Sequence, residues 1–119
     1  MILRQIINAV GAFTKLASSD MGLSSAYRLQ KLIGAVQTEL DFFSSKRSQI
    51  LSKYGTIQED NSVDITEENA QLAKAEIEEL LEVEVMPDFT RLSLPLSEHI
   101  QLSANDVEAL AYFVDFTDD

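Results

Sequence analysis

Carboxylates are the most abundant reactive side chains in this sequence, which has twenty Asp and Glu residues, one His and no Cys. Paired carboxylates can hold a metal ion or act as general acid and base, and Glu78 and Glu82 have the spacing that places both on one helix face. They have no His companion, however. Asp60, Asn61 and Asp64 lack the glycine and the alternating ligands of an EF-hand loop. The carboxylates therefore indicate a negatively charged surface rather than a catalytic or metal-binding site.

The motifs of nucleophilic and nucleotide chemistry are missing as well. No Ser lies in a Gly-x-Ser-x-Gly turn. His99 follows Glu98 without a nucleophile or a second ligand, which favours a surface or packing role. The four glycines are scattered and form none of the loops that cradle phosphates. The sequence predicts a non-enzymatic protein without a metal or a cofactor.

Charge is distributed unevenly along the chain, whose net charge is −11. Residues 1–55 carry seven Lys and Arg against three acids, whereas residues 56–119 carry two against seventeen. Packing of the two halves can neutralise only part of this acid. The unpaired remainder favours a partner with a basic surface and disfavours direct contact with nucleic acid. No apolar run approaches the ~18 residues of a membrane span, so a membrane partner is not expected.

One stretch, residues 24–55, has the apolar spacing of a long helix that packs against a partner. Its seam positions recur alternately three and four residues apart and include one cation: Ala26, Leu29, Ile33, Val36, Leu40, Phe43, Arg47, Ile50 and Tyr54. Such a stripe is typical of a coiled coil, and a single helix cannot bury it. We expect Ser24 or Ser25 to cap the start and Gly55 to end the helix in a left-handed conformation. Arg47 should meet an acid from the next helix across the seam.

Three further helices are predicted by amphipathic spacing. The first two cover residues 2–18 and 66–82. The second of these, with Thr66 as its expected N-cap, is the expected antiparallel partner of the long helix. A last short helix begins at the capping box Ser103-Ala104-Asn105-Asp106, and its apolar side extends to Val114. These assignments make the fold mainly helical.

Two non-helical segments complete the prediction. β-Branched residues on either side of a polar turn predict a small hairpin over residues 56–65, and Pro87 and Pro95 predict extended chain over residues 83–96. The resulting fold is a single, mainly α domain over residues 1–119. It is an antiparallel helical hairpin with a long central helix, a small β-hairpin at its tip, and short N- and C-terminal helices packed on it.

Single residues give finer expectations about packing. Leu72 should widen the buried stripe of its helix. Gly11 should mark the close approach of another helix, since a glycine inside a helix otherwise costs about 1 kcal/mol. Tyr112, Phe113 and Phe116 should close the core.

The layout of the chain resembles that of small proteins encoded by tailed phages and prophages. The resemblance rests on Ala26-Tyr27-Arg28-Leu29-Gln30-Lys31-Leu32-Ile33, Lys53-Tyr54-Gly55, Glu79-Leu80-Leu81-Glu82-Val83-Glu84-Val85 and Leu102-Ser103-Ala104-Asn105-Asp106-Val107-Glu108-Ala109-Leu110. It implies a phage accessory or assembly protein in the cytoplasm of the bacterial host, and it transfers no functional residues.

Charge and resemblance together predict binding to a host or phage protein with a basic surface, such as a host defence or nucleic-acid enzyme that is inhibited. The candidate partner-binding residues are Glu59, Asp60, Glu76, Glu79 and Glu82. A first alternative is a virion or assembly component that forms a homo-oligomer through the helical seams. A second is a sponge for a small signalling nucleotide. The cations available for that role are Arg28, Lys31, Lys46, Arg47 and Lys53.

Overall fold

The computed structural model describes residues 1–95 and 100–118, and within them the protein is mainly α-helical, as predicted. In chain order the elements are α1 (Leu3–Ala17), α2 (Leu23–Tyr54), β1 (Thr56–Ile57), β2 (Val63–Asp64), α3 (Glu67–Leu81), β3 (Leu92–Pro95), α4 (Ala104–Leu110) and β4 (Val114–Thr117). The predicted role of His99 lies outside the described residues. No described helix is both long and apolar enough to cross a membrane.

The long helix α2 has two partners that follow one another along its length. α1 packs on its first half and α3 on its second half. The end of α3 adjoins the start of α1, because the Leu3 amide donates to the Val83 carbonyl at 2.9 Å and the Val85 amide donates to the Met1 carbonyl at 2.9 Å. The stripe of α2 is thus shared between two shorter helices. The predicted pairing with the helix over residues 66–82 holds for the second half only.

The capping predictions have mixed outcomes. Thr66 caps α3 by accepting a hydrogen bond from the Asn69 amide at 3.2 Å. Ser103 and Asp106 form the predicted capping box of α4, with both hydrogen bonds present. The prediction for α2 was wrong, since its N-cap is Gly22 rather than Ser24 or Ser25.

Gly55 also differs from its prediction. Its φ of −149° and ψ of −169° are extended rather than left-handed. The glycine is needed for space instead, because a Cβ there would lie 2.8 Å from the Asp64 carbonyl oxygen and 2.9 Å from the Ile65 Cβ. The chain turns from α2 directly into the hairpin at this point.

The molecule divides into a compact body and a thinner arm. The body contains α1, the first half of α2, β3, α4 and β4, and its core includes Phe13 packed edge-on against fully buried Phe113 at 5.2 Å. The arm consists of the second half of α2, the β1–β2 hairpin and α3. The buried residues of α2 are Leu29, Leu32 and Val36, all in its first half. The radius of gyration is 17.1 Å, compared with about 13.5 Å for a compact chain of this length.

The C-terminal part forms a strand pair that the sequence analysis did not predict. β3 and β4 are parallel, with Leu92 opposite Val114 and Pro95 opposite Thr117. The predicted last helix was expected to reach Val114, but α4 ends at Leu110. Val114, Asp115 and Phe116 are buried, exposed and half-buried in turn, which is the alternation of a strand on a core.

Arg91 holds this unit together. Its guanidinium donates from Nε to the Asp115 Oδ2 at 3.1 Å and from Nη2 to the Asp115 Oδ1 at 2.8 Å. It also donates to the carbonyl oxygens of Ala111 at 2.7 Å and Tyr112 at 2.8 Å, so it satisfies the end of α4 as well as the strand. This forked geometry is specific to arginine.

Three packing expectations need correction. α4 packs on α1 rather than on the long helix. Tyr112 is 46% exposed, so only Phe113 and the half-buried Phe116 contribute to the core. No atom lies within 4 Å of a Cβ built on Gly11. That glycine therefore does not mark a helix contact.

We expect alanine substitutions at two glycines to have opposite effects on stability. Gly34 is exposed within α2 and its Cβ would meet nothing within 4 Å, so Gly34→Ala should raise the free energy of unfolding by about 1 kcal/mol. Gly55→Ala should lower it by about 1–3 kcal/mol, because the backbone of Asp64 cannot move aside cheaply. Urea unfolding of both variants measures these free energies. Changes of the same sign in the two variants would contradict the prediction.

Acid should weaken the ion pairs that hold the C-terminal part of the chain in place. Hydrogen bonding from Lys15, whose Nζ lies 2.6 Å from the Asp106 Oδ2, lowers the pKa of Asp106, and hydrogen bonding from Arg91 lowers the pKa of Asp115. A carboxyl whose pKa is lowered by folding contributes stability above its unfolded pKa, and this is lost as the pH falls through the folded pKa. The free energy of unfolding should therefore fall as the pH drops below about 4.

The Asp115→Asn variant should lose part of this pH dependence and be less stable than the wild type at neutral pH. Asp20→Asn is the matched control, since Asp20 makes no ion pair with any described residue. The free energies of unfolding of the wild type and both variants are measured with urea at neutral pH and at a pH of about 3. Equal pH dependence of Asp115→Asn and wild type would refute the role of this ion pair.

Candidate functional site: the acidic arm

The tip of the arm is the turn between β1 and β2, which contains the predicted site residues Glu59 and Asp60. Both are exposed. Asp60 shapes the turn, because its Oδ1 accepts from the Ser62 hydroxyl at 2.6 Å and from the Ser62 amide at 3.1 Å. These hydrogen bonds lower the pKa of Asp60. Asn61 has a φ of 68°, as such a turn requires. Glu59 is therefore freer than Asp60 to contact another molecule.

Glu76 is a residue of α3, and its side chain links this helix to the end of α2. Lys53 Nζ is 3.3 Å from its Oε1, and the side chain of Glu76 is 34% exposed. Hydrogen bonding from the Tyr54 hydroxyl and then from Lys53 lowers the pKa of Glu76. The Asn69 amide group adds a second link by donating to the Tyr54 carbonyl at 2.9 Å. This predicted site residue has a structural role.

Glu82 is likewise occupied within the protein. Arg4 from α1 donates through Nη2 to the Glu82 Oε1 at 3.0 Å and to the Glu78 Oε2 at 2.7 Å. Hydrogen bonding to Arg4 lowers the pKa of Glu78, and the two carboxylates raise the pKa of Arg4. The ion pairs join the start of α1 to the end of α3. The charge of Arg4 is used entirely inside the molecule.

Glu79 has a different environment from these two. It is exposed and makes no ion pair with the described residues. Glu68, Leu72 and Ala75 precede it at spacings of four, three and four, and all are exposed. We call Glu68, Leu72, Ala75 and Glu79 the acidic face. It turns away from the residues of α3 that pack on α2, such as buried Ala73 and Leu80.

Leu72 is the member of the acidic face that the sequence analysis misplaced. It was expected to widen the buried stripe, but it is 48% exposed. The single observable hint is its position between Glu68 and Glu79, since a residue four from one acid and seven from the other shares their side of a helix. Leu72 is exposed because α2 covers only one side of α3 and Leu72 lies on another side.

Arg47 does not make its predicted seam contact. It is exposed and lines a groove beside Lys74 and Glu78, and it has no ion pair with the described residues. The physical reason is that Glu78, the acid of α3 that lines this groove, is bound to Arg4. Arg47 is left in solvent at the edge of the α2–α3 contact.

The cations considered for a ligand site are not all brought together. Lys53 pairs with Glu76, and Lys46 lies 5.9 Å from the centre of the Phe42 ring. Arg28 and Lys31 line a cavity with residues 88–91, far along α2 from the others. The candidate cation set therefore divides between arm and body.

Comparisons of the chain with protein-family models, with curated proteins and with solved structures found no match in any of the three.

Proposed function

We propose that the protein is a non-enzymatic binding protein and that its partner is a protein with a basic surface. The acidic face of α3 is the contact, together with Glu59 at the tip of the arm. Glu79 and Glu59 come from the original candidate set, whereas Glu76 and Glu82 are committed to internal ion pairs. The observation that carries the proposal is the 48% exposed Leu72, which lies between Glu68 and Glu79, two carboxylates that form no ion pair with the described residues.

This combination suits protein recognition better than charge alone. Exposed carboxylates accelerate the encounter with a cationic surface, but each surface ion pair adds little to affinity. An apolar side chain that is left uncovered can enter a pocket on the partner and supply the affinity that the carboxylates do not. Leu72 contributes little to the core of the arm, so nothing in folding requires leucine at this exposed position.

The biological setting is a further part of the proposal. The resemblance to phage-encoded proteins supports an accessory role in the bacterial cytoplasm, with a host defence enzyme or a nucleic-acid enzyme as the partner that is inhibited. Enzymes that bind nucleic acid present the basic surfaces that an acidic protein can cover.

The test is a variant with Glu68→Lys and Glu79→Lys, used as bait beside the wild type in extracts of the natural host. We expect wild-type bait to capture one basic partner and the variant to lose it, because the reversed charges repel a basic surface. Leu72→Ser should weaken capture by more than about tenfold without changing the salt dependence. Wild-type capture should weaken as salt rises.

The matched control carries Asp20→Lys and Glu108→Lys, which change the net charge equally on exposed positions outside the acidic face. It should capture the same partner as the wild type. Reversal of Glu76 or Glu82 is unsuitable as a test, because it would also break the ion pairs to Lys53 and Arg4. Equal capture by the acidic-face variant and the control would refute the proposal.

A second candidate function, assembly of a homo-oligomer, is favoured by the uncovered flank of α2. Ile33, Gln37, Leu40, Arg47 and Leu51 lie on one line of α2. They border two apolar grooves of about 250 Å³ and about 300 Å³, one beside α1 and the other beside α3. Antiparallel pairing of two copies would place the acidic half of each beside the cationic half of the other. A virion or assembly component would use such a contact.

Self-association is tested with Leu51→Glu, which puts a charge into the groove of the arm. The wild type should form dimers or larger assemblies in analytical ultracentrifugation, and Leu51→Glu should shift them toward monomer. Leu72→Glu is the matched control, because it makes the same change on the acidic face. A wild type that stays monomeric at all concentrations would exclude this candidate.

A further inference from the structure

A cavity in the body carries positive charge although the protein as a whole is strongly acidic. It lies between the first half of α2 and the segment that leads into β3, and its volume is about 410 Å³. Leu32, Phe89 and Thr90 line it together with charged residues. Pockets for small organic ligands have volumes of about 300–1,000 Å³. The cavity is therefore large enough for a ligand of nucleotide size.

Two cations of this cavity are available to a ligand. Arg28 and Lys31 are three residues apart on α2, so their side chains project from neighbouring turns on the same side of the helix. Both are exposed, and neither forms an ion pair within the part of the chain that the structure describes. Lys31 Nζ lies 5.5 Å from the centre of the Tyr27 ring, a contact that leaves its N–H donors free. The pair can bind one anionic group.

The third cation of the lining has a different role. Arg91 is neutralised by Asp115 at 2.8 Å, and its other donors are used by backbone carbonyls at the end of α4. It fixes the wall of the cavity but contributes little charge to a ligand. Asp88 is the acid among the lining residues. Its carboxylate can accept a hydrogen bond from an amine on the ligand.

The apolar wall is held in place by the core. Leu32 is 1% exposed, and the Phe89 ring packs against fully buried Phe113 with 5.3 Å between ring centres. A planar ring can stack on such a fixed aromatic side chain, as nucleobases do on aromatic side chains in proteins that bind single strands. The cavity thus combines a flat apolar wall, a pair of cations and one acceptor.

We infer that this cavity binds a mononucleotide, with the phosphate on Arg28 and Lys31, the base against Phe89, and an exocyclic amine directed to Asp88. No bond is made or broken in this role. The inference is independent of the partner proposed for the acidic face, because none of these residues belongs to the arm. It also narrows the second alternative of the sequence analysis to two of its five cations.

The experiment is isothermal titration calorimetry of the full chain with AMP, adenosine, inorganic phosphate and inosine monophosphate. AMP should bind saturably, and adenosine and phosphate should each bind at least about tenfold more weakly because each lacks half of the contacts. Inosine monophosphate should bind more weakly than AMP, since it has no exocyclic amine for Asp88. Added salt should weaken the binding of AMP.

Two double variants with the same change in net charge locate the site. Arg28→Gln with Lys31→Gln should weaken AMP binding at least about tenfold. Lys46→Gln with Arg47→Gln, on the same helix but in the arm, should leave it unchanged. All four positions are exposed, so circular dichroism and thermal unfolding should match the wild type.

Three results would overturn the inference. The first is that AMP does not bind saturably. The second is that both double variants weaken the binding of AMP equally, which would mean that AMP is attracted by net charge alone. The third is equal affinity for phosphate and AMP, which would leave an anion site without a base pocket. Equal binding of inosine monophosphate and AMP would overturn the contact assigned to Asp88.

Discussion

The structure depends on how one long helix hides a narrow apolar stripe. α2 has 32 residues, and each of its helical partners along the stripe, α1 and α3, has 15. Neither partner alone covers the stripe, so the two must follow one another along it. Their junction is fixed by backbone hydrogen bonds of Leu3 and Val85, and by Arg4 between Glu78 and Glu82. Everything else in the fold is attached to this arrangement.

The difference between body and arm follows from what covers each half of α2. In the body, α1 is joined by β3 in covering α2, so Leu32 and Val36 are almost fully buried. In the arm only α3 and a two-stranded hairpin are present, and Phe43 and Ile50 remain half-buried. A two-helix layer cannot exclude water from both flanks. The arm therefore exposes surface that is available for contacts with other molecules, and the body supplies most of the stability.

The sequence predicted the parts of the fold that are set by local patterns. The bounds of α1, α2 and α3, the hairpin and the caps at Thr66 and Ser103 all follow from short-range spacing. What failed depends on tertiary contacts. Val114 fits a helical spacing and a strand alternation equally well, and the choice is made by the pairing of β4 with β3 and by Arg91, which is more than twenty residues away in sequence.

The candidate site shows the same division between local and tertiary information. Counting acids and bases indicated an unpaired acidic surface, but it could not say which carboxylates were unpaired. The positions of Arg4 and Lys53 decide this, because they form ion pairs with Glu82 and Glu76 but not with Glu79. Leu72 could not be assigned either, because its exposure depends on which side of α3 faces α2. Only the positions of the neighbouring helices decide both questions.

The charge asymmetry has a geometric consequence that composition alone does not contain. From the sequence, the two halves were expected to neutralise each other in part, without any indication of where along the basic half this occurs. Lys53 meets Glu76, and Tyr54 meets Asn69 near the start of α3, so the 15 residues of α3 reach back along α2 only to about Phe43. Arg28 lies 15 positions earlier, which is about 22 Å along the helix. The glutamates of α3 cannot bridge that distance. Arg28 and Lys31 are therefore left beside the segment before β3, where Asp88 is the one acid among the described lining residues. An acidic protein thus keeps a local positive field because its helices differ in length.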